Sequence, residues 1–218
     1  MPTDIQSFFR YLIPGSVLLL TIGPWIPPTL PNVVTKDLAP ILGSLLLLSI
    51  PLGIPLFIIY FSIYHIPFEK HFMQIVEVHT LYEIPGRIYA WTSPLKNRDR
   101  VESTSSSIWY FIDSQTPASM NHWLRGIGAY LHSLGASLVA LTVGYFIVHC
   151  GWFGFKSPSM EVVVVHTFAV LIFAVTIIVA RIHYRGRYMR RLQRLIAENR
   201  KEIIKIDRRE GNSHNNFA

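Results

Sequence analysis

The chain has 218 residues, half of them hydrophobic and only 15% charged. A soluble globular domain carries about 25% charged residues, so the deficit points to long uncharged runs placed in lipid. The single cysteine, Cys150, excludes an intrachain disulfide and any multi-cysteine metal site within one chain.

The net charge of +7 is unevenly distributed. From Arg181 onward there are eleven Lys or Arg and four Asp or Glu, and the preceding residues are balanced. A basic tail directly after an apolar run faces anionic lipid on the cytoplasmic side. That position argues against nucleic acid as the partner.

The first apolar run covers residues 8 to about 26 and is interrupted near its start by Arg10, which is expected to snorkel to headgroups. As a helix it would extend about 28 Å, the thickness of a hydrocarbon core. The proline-rich residues 25–31 lack a small-residue cleavage site, so the run reads as an uncleaved anchor. The second run covers residues 38–64. Pro51, Gly53 and Pro55 fall in its middle. Each proline removes a backbone donor, which predicts a kink and makes this stretch a hinge candidate. A bent packing helix is the plainer reading, and an unwound ion site of the kind transporters use is the sharper one.

The third run covers residues 124–150. Gly128, His132, Ala136, Ala140 and Gly144 recur every four residues and form one nearly flat stripe. Apolar helices associate in lipid by close backbone contact, so this stripe is the candidate packing or oligomer interface. The fourth run covers residues 162–180, and the short 151–161 connection makes it antiparallel to the third. With the N-terminus inside, the inner segments and span edges hold eighteen of the twenty Lys and Arg, leaving Lys36 and Lys156 outside. The positive-inside rule therefore places both ends in the cytoplasm.

Residues 65–123 form the main inner region. Phe68, Phe72, Ile75, Val76 and Tyr82 recur at helical spacing, and Pro85 and Gly86 end that amphipathic helix. Residues 96–102 read as a charged loop and 103–107 as a polar linker. Trp109, Tyr110 and Trp123 suit an interfacial belt. The tail is predicted helical over 181–207 and disordered over 208–218. Within it, Met189, Leu192, Ile196, Asn199, Ile203 and Ile206 alternate spacings of three and four. They make a coiled-coil seam with one polar member, or a face packing on the chain's own inner region. Arg185, Arg187, Arg190, Arg191 and Arg194 form a juxtamembrane cluster for anionic lipid or an acidic partner.

The chemistry-bearing motifs are missing. The chain has no phosphate-binding glycine loop, no HExxH helix and no GxSxG elbow, and no carboxylate lies inside a span. No catalytic residue and no cofactor is therefore expected. Gly135, Ala136 and Ser137 with His166 resemble the intramembrane serine proteases of the rhomboid family in those residues alone. That core has six spans against four here, and Ser137 would lie about 18 Å below the outer helix end against about 6 Å for His166. His149, Cys150 and His166 fall at similar depth and are weak metal candidates, against the plain reading of interfacial histidines meeting water. His132 lies within a span, where an ionisable group faces protein or a water path. An interhelical hydrogen bond is its plain reading, and a pH gate is the alternative.

The expected architecture is all-α: an integral membrane four-helix bundle with cytoplasmic amphipathic helices and a basic C-terminal helix. Its parts are transmembrane hairpins over 1–64 and 124–180, the inner region 65–123 and the tail. The leading functional expectation is a non-enzymatic, self-associating protein that forms a pore or perturbs the bilayer. The first alternative is an anchor or adaptor presenting 65–123 or the basic tail to a cytoplasmic protein. The second is a lipid-active enzyme using His65, His71, His79 or Asp113 at the inner interface.

Overall fold

In the computed structural model the described residues are 5–22, 38–83, 98–150 and 159–215, with side chains described over 10–22, 47–83, 99–150 and 159–209. The end of the first apolar run (23–26), Pro85 and Gly86, the 151–158 connection and the last three residues lie outside them. Among the described residues every regular element is helical. The order is α1 (Ile5–Ile22), α2 (Leu38–Tyr60), a π-helical segment (Phe61–Lys70), α3 (His71–Tyr82), α4 (Arg98–Gln115), α5 (Ala118–His149), α6 (Met160–Glu198) and α7 (Arg200–Asn215). Three helical stretches are long and apolar enough to cross a membrane: Leu47–Tyr82, Ala118–His149 and Met160–Glu198. A shorter apolar helix covers Arg10–Ile22.

Several elements differ from the sequence expectation. The second run and the amphipathic segment after it are one continuous helical stretch, because α2, the π segment and α3 follow without a break. Pro51 and Pro55 both lie inside regular α2. The irregular geometry comes later, over Phe61–Lys70, where Pro67 supplies no amide hydrogen and the ladder widens. The fourth run and the first part of the basic tail are likewise one helix, α6, since no breaker strong enough to stop it occurs before Asn199. There the Asn199 side-chain amide donates to the Leu195 carbonyl, competing with the backbone ladder, and a turn separates α6 from α7. α7 then runs to Asn215, past the expected helical end near Asp207.

Residues 98–115, read as loop, linker and belt, form the single helix α4. Serine is a poor helix interior residue because its hydroxyl competes for backbone groups. Here Ser106 and Ser107 donate back to the Glu102 and Ser103 carbonyls, within the same helix. Thr104, Ser105 and Ser107 are buried together with Ile108, Phe111 and Ile112. The buried face repeats at three and four residues, so tertiary packing overrides weak propensity.

The chain divides into two units. The first comprises Met1–Ile63 and Gly126–Arg185. Its core takes Val17 and Leu18 from α1, Leu56 from α2, Leu134, Ala140 and Leu141 from α5, and Ile177 from α6. Helices α1 and α2 approach so closely that a Cβ on Gly15 would stand 1.7 Å from the Ser49 carbonyl oxygen. One on Gly53 would stand 1.8 Å from the Tyr11 oxygen. Ser16 donates to the Ser49 hydroxyl across the same seam at 3.0 Å.

The second unit comprises Tyr64–Arg125 and Gly186–Ala218. Leu81, Ile108, Ile112, Leu124, Leu192, Ile196 and Ile203 are fully or almost fully buried in it. They come from α3, α4, the start of α5, the end of α6 and α7. α3 ends at Glu83, which takes a left-handed conformation with φ of 50°.

Candidate functional site

In the first unit, α2 and α6 bring Tyr60 and Arg181 together. Arg181 Nη2 donates to the Tyr60 hydroxyl at 2.9 Å, and its guanidinium lies 5.5 Å from the same ring. Tyr60 is buried, and its ring rests where Gly135 of α5 has no side chain. The Arg10 guanidinium lies 5.5 Å from the Phe57 ring. His132 completes the group, with its ring 5.1 Å from Phe61 and 6.1 Å from Tyr60. Two arginines and a histidine thus sit among aromatic faces that attract cations.

At the other end of α5, His149 Nε2 lies 3.1 Å from His166 Nδ1. His166 Nε2 lies 3.1 Å from the Thr21 carbonyl at the end of α1. The structure thus joins two of the three candidate metal ligands. Cys150 is exposed and forms no three-ligand group with them among the described residues. Ser137 donates to the Ser133 carbonyl and His166 is engaged by His149 and Thr21, so no serine–histidine pair of a protease forms.

The small-residue stripe is used within the chain. Ala136 and Ala140 are completely buried, and a Cβ on Gly144 would meet the Thr21 side chain at 2.8 Å. Gly128 stands open, with nothing within 4 Å of its Cβ position. In the hinge candidate, Gly53 is buried against α1 while Pro51 and Pro55 are exposed.

The second unit has a polar centre that sequence reading missed. The buried Glu77 of α3 accepts hydrogen bonds from Ser105 Oγ at 2.6 Å and Trp109 Nε1 at 3.2 Å, both on α4. Burial pushes its carboxyl up to about 7, against the lowering effect of those two donors. Tyr188 of α6 is also buried, and its hydroxyl is pushed well above the usual range by burial and then by the Glu77 charge. Tyr82 donates to Asp207 at 2.5 Å, and Ser107 approaches the same carboxylate at 3.4 Å. Burial, then Asp207 as acceptor and as charge, pushes Tyr82 up to about 12. The helical spacing of Val101, Thr104, Ile108 and Ile112 was the available sequence signal for this centre.

Of the coiled-coil candidates, Leu192, Ile196 and Ile203 are buried inside this unit, Met189 and Ile206 are half-buried, and Asn199 forms the turn. Among the arginines, Arg187, Arg190, Arg191 and Arg194 are exposed and Arg185 is half-buried. Arg191 lies 4.4 Å from the Trp123 ring. Further along, Lys201, Lys205, Arg208 and Arg209 line an open cleft of about 300 Å³ with Ile204. The spacing of these bases by three and four residues, from Lys201 through Lys205 to Arg208 and Arg209, was readable in the sequence. Of the residues named for an interfacial enzyme, His65 pairs with Glu69 at 3.2 Å and Asp113 with Arg125 at 2.8 Å. His71 and His79 are half-buried on α3.

These features define an all-helical chain with three helical stretches suited by length and composition to crossing a membrane. Comparison with protein families, with curated proteins and with solved structures returns no match.

Proposed function

We propose that the chain is an integral membrane protein whose four apolar helical segments anchor a cytoplasmic helical unit that receives a protein partner. The carrying observation is the contrast between the two units. Along the apolar stretch of α6 in the first unit, only 6% is buried. Leu171, Ile172 and Val179 are each more than half exposed. A contiguous apolar surface of that extent is stable against lipid and costly against water. The second unit buries Leu81, Ile108, Ile112, Leu192, Ile196 and Ile203 in a core of its own, exposes Ile66, Phe68 and Phe72 near its start, and carries Arg187, Arg190, Arg191 and Arg194 outward. The charge distribution supports an inside location for both ends.

A topology experiment tests this reading. Cys150 is the sole thiol, so an impermeant maleimide applied to intact cells should label it from outside. In a Cys150→Ser background, Lys205→Cys should be labelled only after permeabilisation. Labelling of Lys205→Cys in intact cells, or protein released from membranes without detergent, overturns the reading.

A self-associating pore is the second reading. Much of the small-residue stripe packs within the chain, so its remaining support is the exposed apolar face of α6, which suits a second copy as well as lipid. A monomer without conductance in planar bilayers favours the anchor. A conducting oligomer favours the pore.

A further inference from the structure

We propose that His149 and His166 form a two-imidazole binding site for a divalent transition-metal ion. This goes beyond the anchoring reading and does not depend on it. The facing nitrogens, His149 Nε2 and His166 Nδ1, are 3.1 Å apart. Two nitrogens held at about 2.0–2.1 Å from a tetrahedral ion stand roughly 3.3 Å apart, so the pair is already close to ligand spacing.

The tautomer of His166 follows from its other contact. A carbonyl only accepts, so His166 Nε2, 3.1 Å from the Thr21 carbonyl, carries the hydrogen. In the neutral ring Nδ1 then bears the lone pair, directed at His149. A ring nitrogen donating to a backbone carbonyl while its partner presents a lone pair is the outer-shell arrangement of metal-binding histidines. Thr21 lies in the last described turn of α1. Donating to that carbonyl explains Nε2. It does not explain a second imidazole set against Nδ1.

Tyr145 lies beside both rings. Its ring is within 10° of parallel to His166 and 4.2 Å from His149. Its hydroxyl is 3.2 Å from Thr167 Oγ1. His149 is half-buried, so solvent reaches the pair, whereas His166 is buried. In the ion-free pair, His149 donates from Nε2 to His166 Nδ1. On binding, His149 takes its other tautomer with the hydrogen on Nδ1, the rings tilt so that both lone pairs converge on an ion beside the line joining the nitrogens, and no net proton is released. Water or an exogenous ligand completes the coordination. Imidazole donors select copper, zinc and nickel over magnesium and calcium.

The test is a Cu²⁺ titration of the full chain carrying Cys150→Ser, purified in detergent and followed by electron paramagnetic resonance. The substitution removes the thiol, which reduces or binds copper. We expect one Cu²⁺ per chain with splitting from two imidazole nitrogens. His149→Ala and His166→Ala should each weaken binding at least roughly tenfold, and His183→Ala at an exposed histidine should not. Because His166 also bonds the Thr21 carbonyl of α1, His149→Ala and the parent spectrum carry the test if His166→Ala does not fold. Absence of one-to-one binding, a parent spectrum with fewer than two imidazole nitrogens, or unchanged affinity in His149→Ala overturns the proposal.

Discussion

Arg181 holds Tyr60 in two ways at once, by donating to its hydroxyl at 2.9 Å and by lying over its ring at 5.5 Å. The contact joins α6 to α2, whose side chains are 121 residues apart in the chain. Replacing Tyr60 with Phe keeps the ring and removes the acceptor. The expected loss is about 1.5–3 kcal/mol, that of a hydrogen bond to a charged donor. Tyr60→Ala should cost more, about 3–5 kcal/mol, because a buried ring is also lost. Thermal unfolding in detergent reads both, and an unchanged Tyr60→Phe chain would show that the hydroxyl contributes nothing.

The glycines should rank by what a Cβ meets. Gly15→Ala and Gly53→Ala place a carbon against backbone oxygen of the facing helix, which no rotamer change relieves. Each should separate α1 from α2 and cost more than about 2 kcal/mol. Gly135→Ala, whose Cβ would stand 2.3 Å from Tyr60, and Gly144→Ala, against Thr21, should follow. Gly128→Ala should be neutral or gain up to about 1 kcal/mol from helix propensity. A Gly128→Ala chain that loses stability while Gly53→Ala does not would contradict the packing.

The second unit should lose stability as pH rises through neutrality. Glu77 ionises near 4.5 when exposed and near 7 when buried. Between those values the folded form binds the extra proton, so the Glu77 contribution is complete below 4.5 and falls away by about 7. The full effect is at most about 3 kcal/mol. Glu77→Gln keeps one acceptor oxygen for Trp109 and presents its amide NH2 to the Ser105 hydroxyl, which can accept in turn, all without the charge, so it should flatten the profile and stabilise the unit at pH 8. Chemical denaturation between pH 4 and 8 is the measurement, and an unchanged slope in the variant removes Glu77 as the cause.

Docking of α7 should depend on Asp207, which accepts from Tyr82 and lies 3.4 Å from the Ser107 hydroxyl. Asp207→Ala removes both interactions and is expected to cost about 1–3 kcal/mol. Hydrogen exchange should show α7 amides losing protection while those of α5 keep theirs. Equal protection in both chains would place the docking energy in Ile203 alone.

Sequence alone determined the helical class, the positions of the apolar runs and the placement of charge. These properties are local: helix formation depends on neighbours three and four residues away, and hydropathy on residue content. It also located the small-residue stripe and His149 with His166, without deciding what they touch. Tertiary structure decided that most of the stripe is spent inside the chain, and that the tail's apolar seam packs within its own unit. It turned a serine-rich stretch into α4, brought Ser105 to Glu77 across 28 residues, and set His166 against a carbonyl 145 residues away. Those outcomes depend on which faces meet in three dimensions, and a helical period specifies a face without naming its partner.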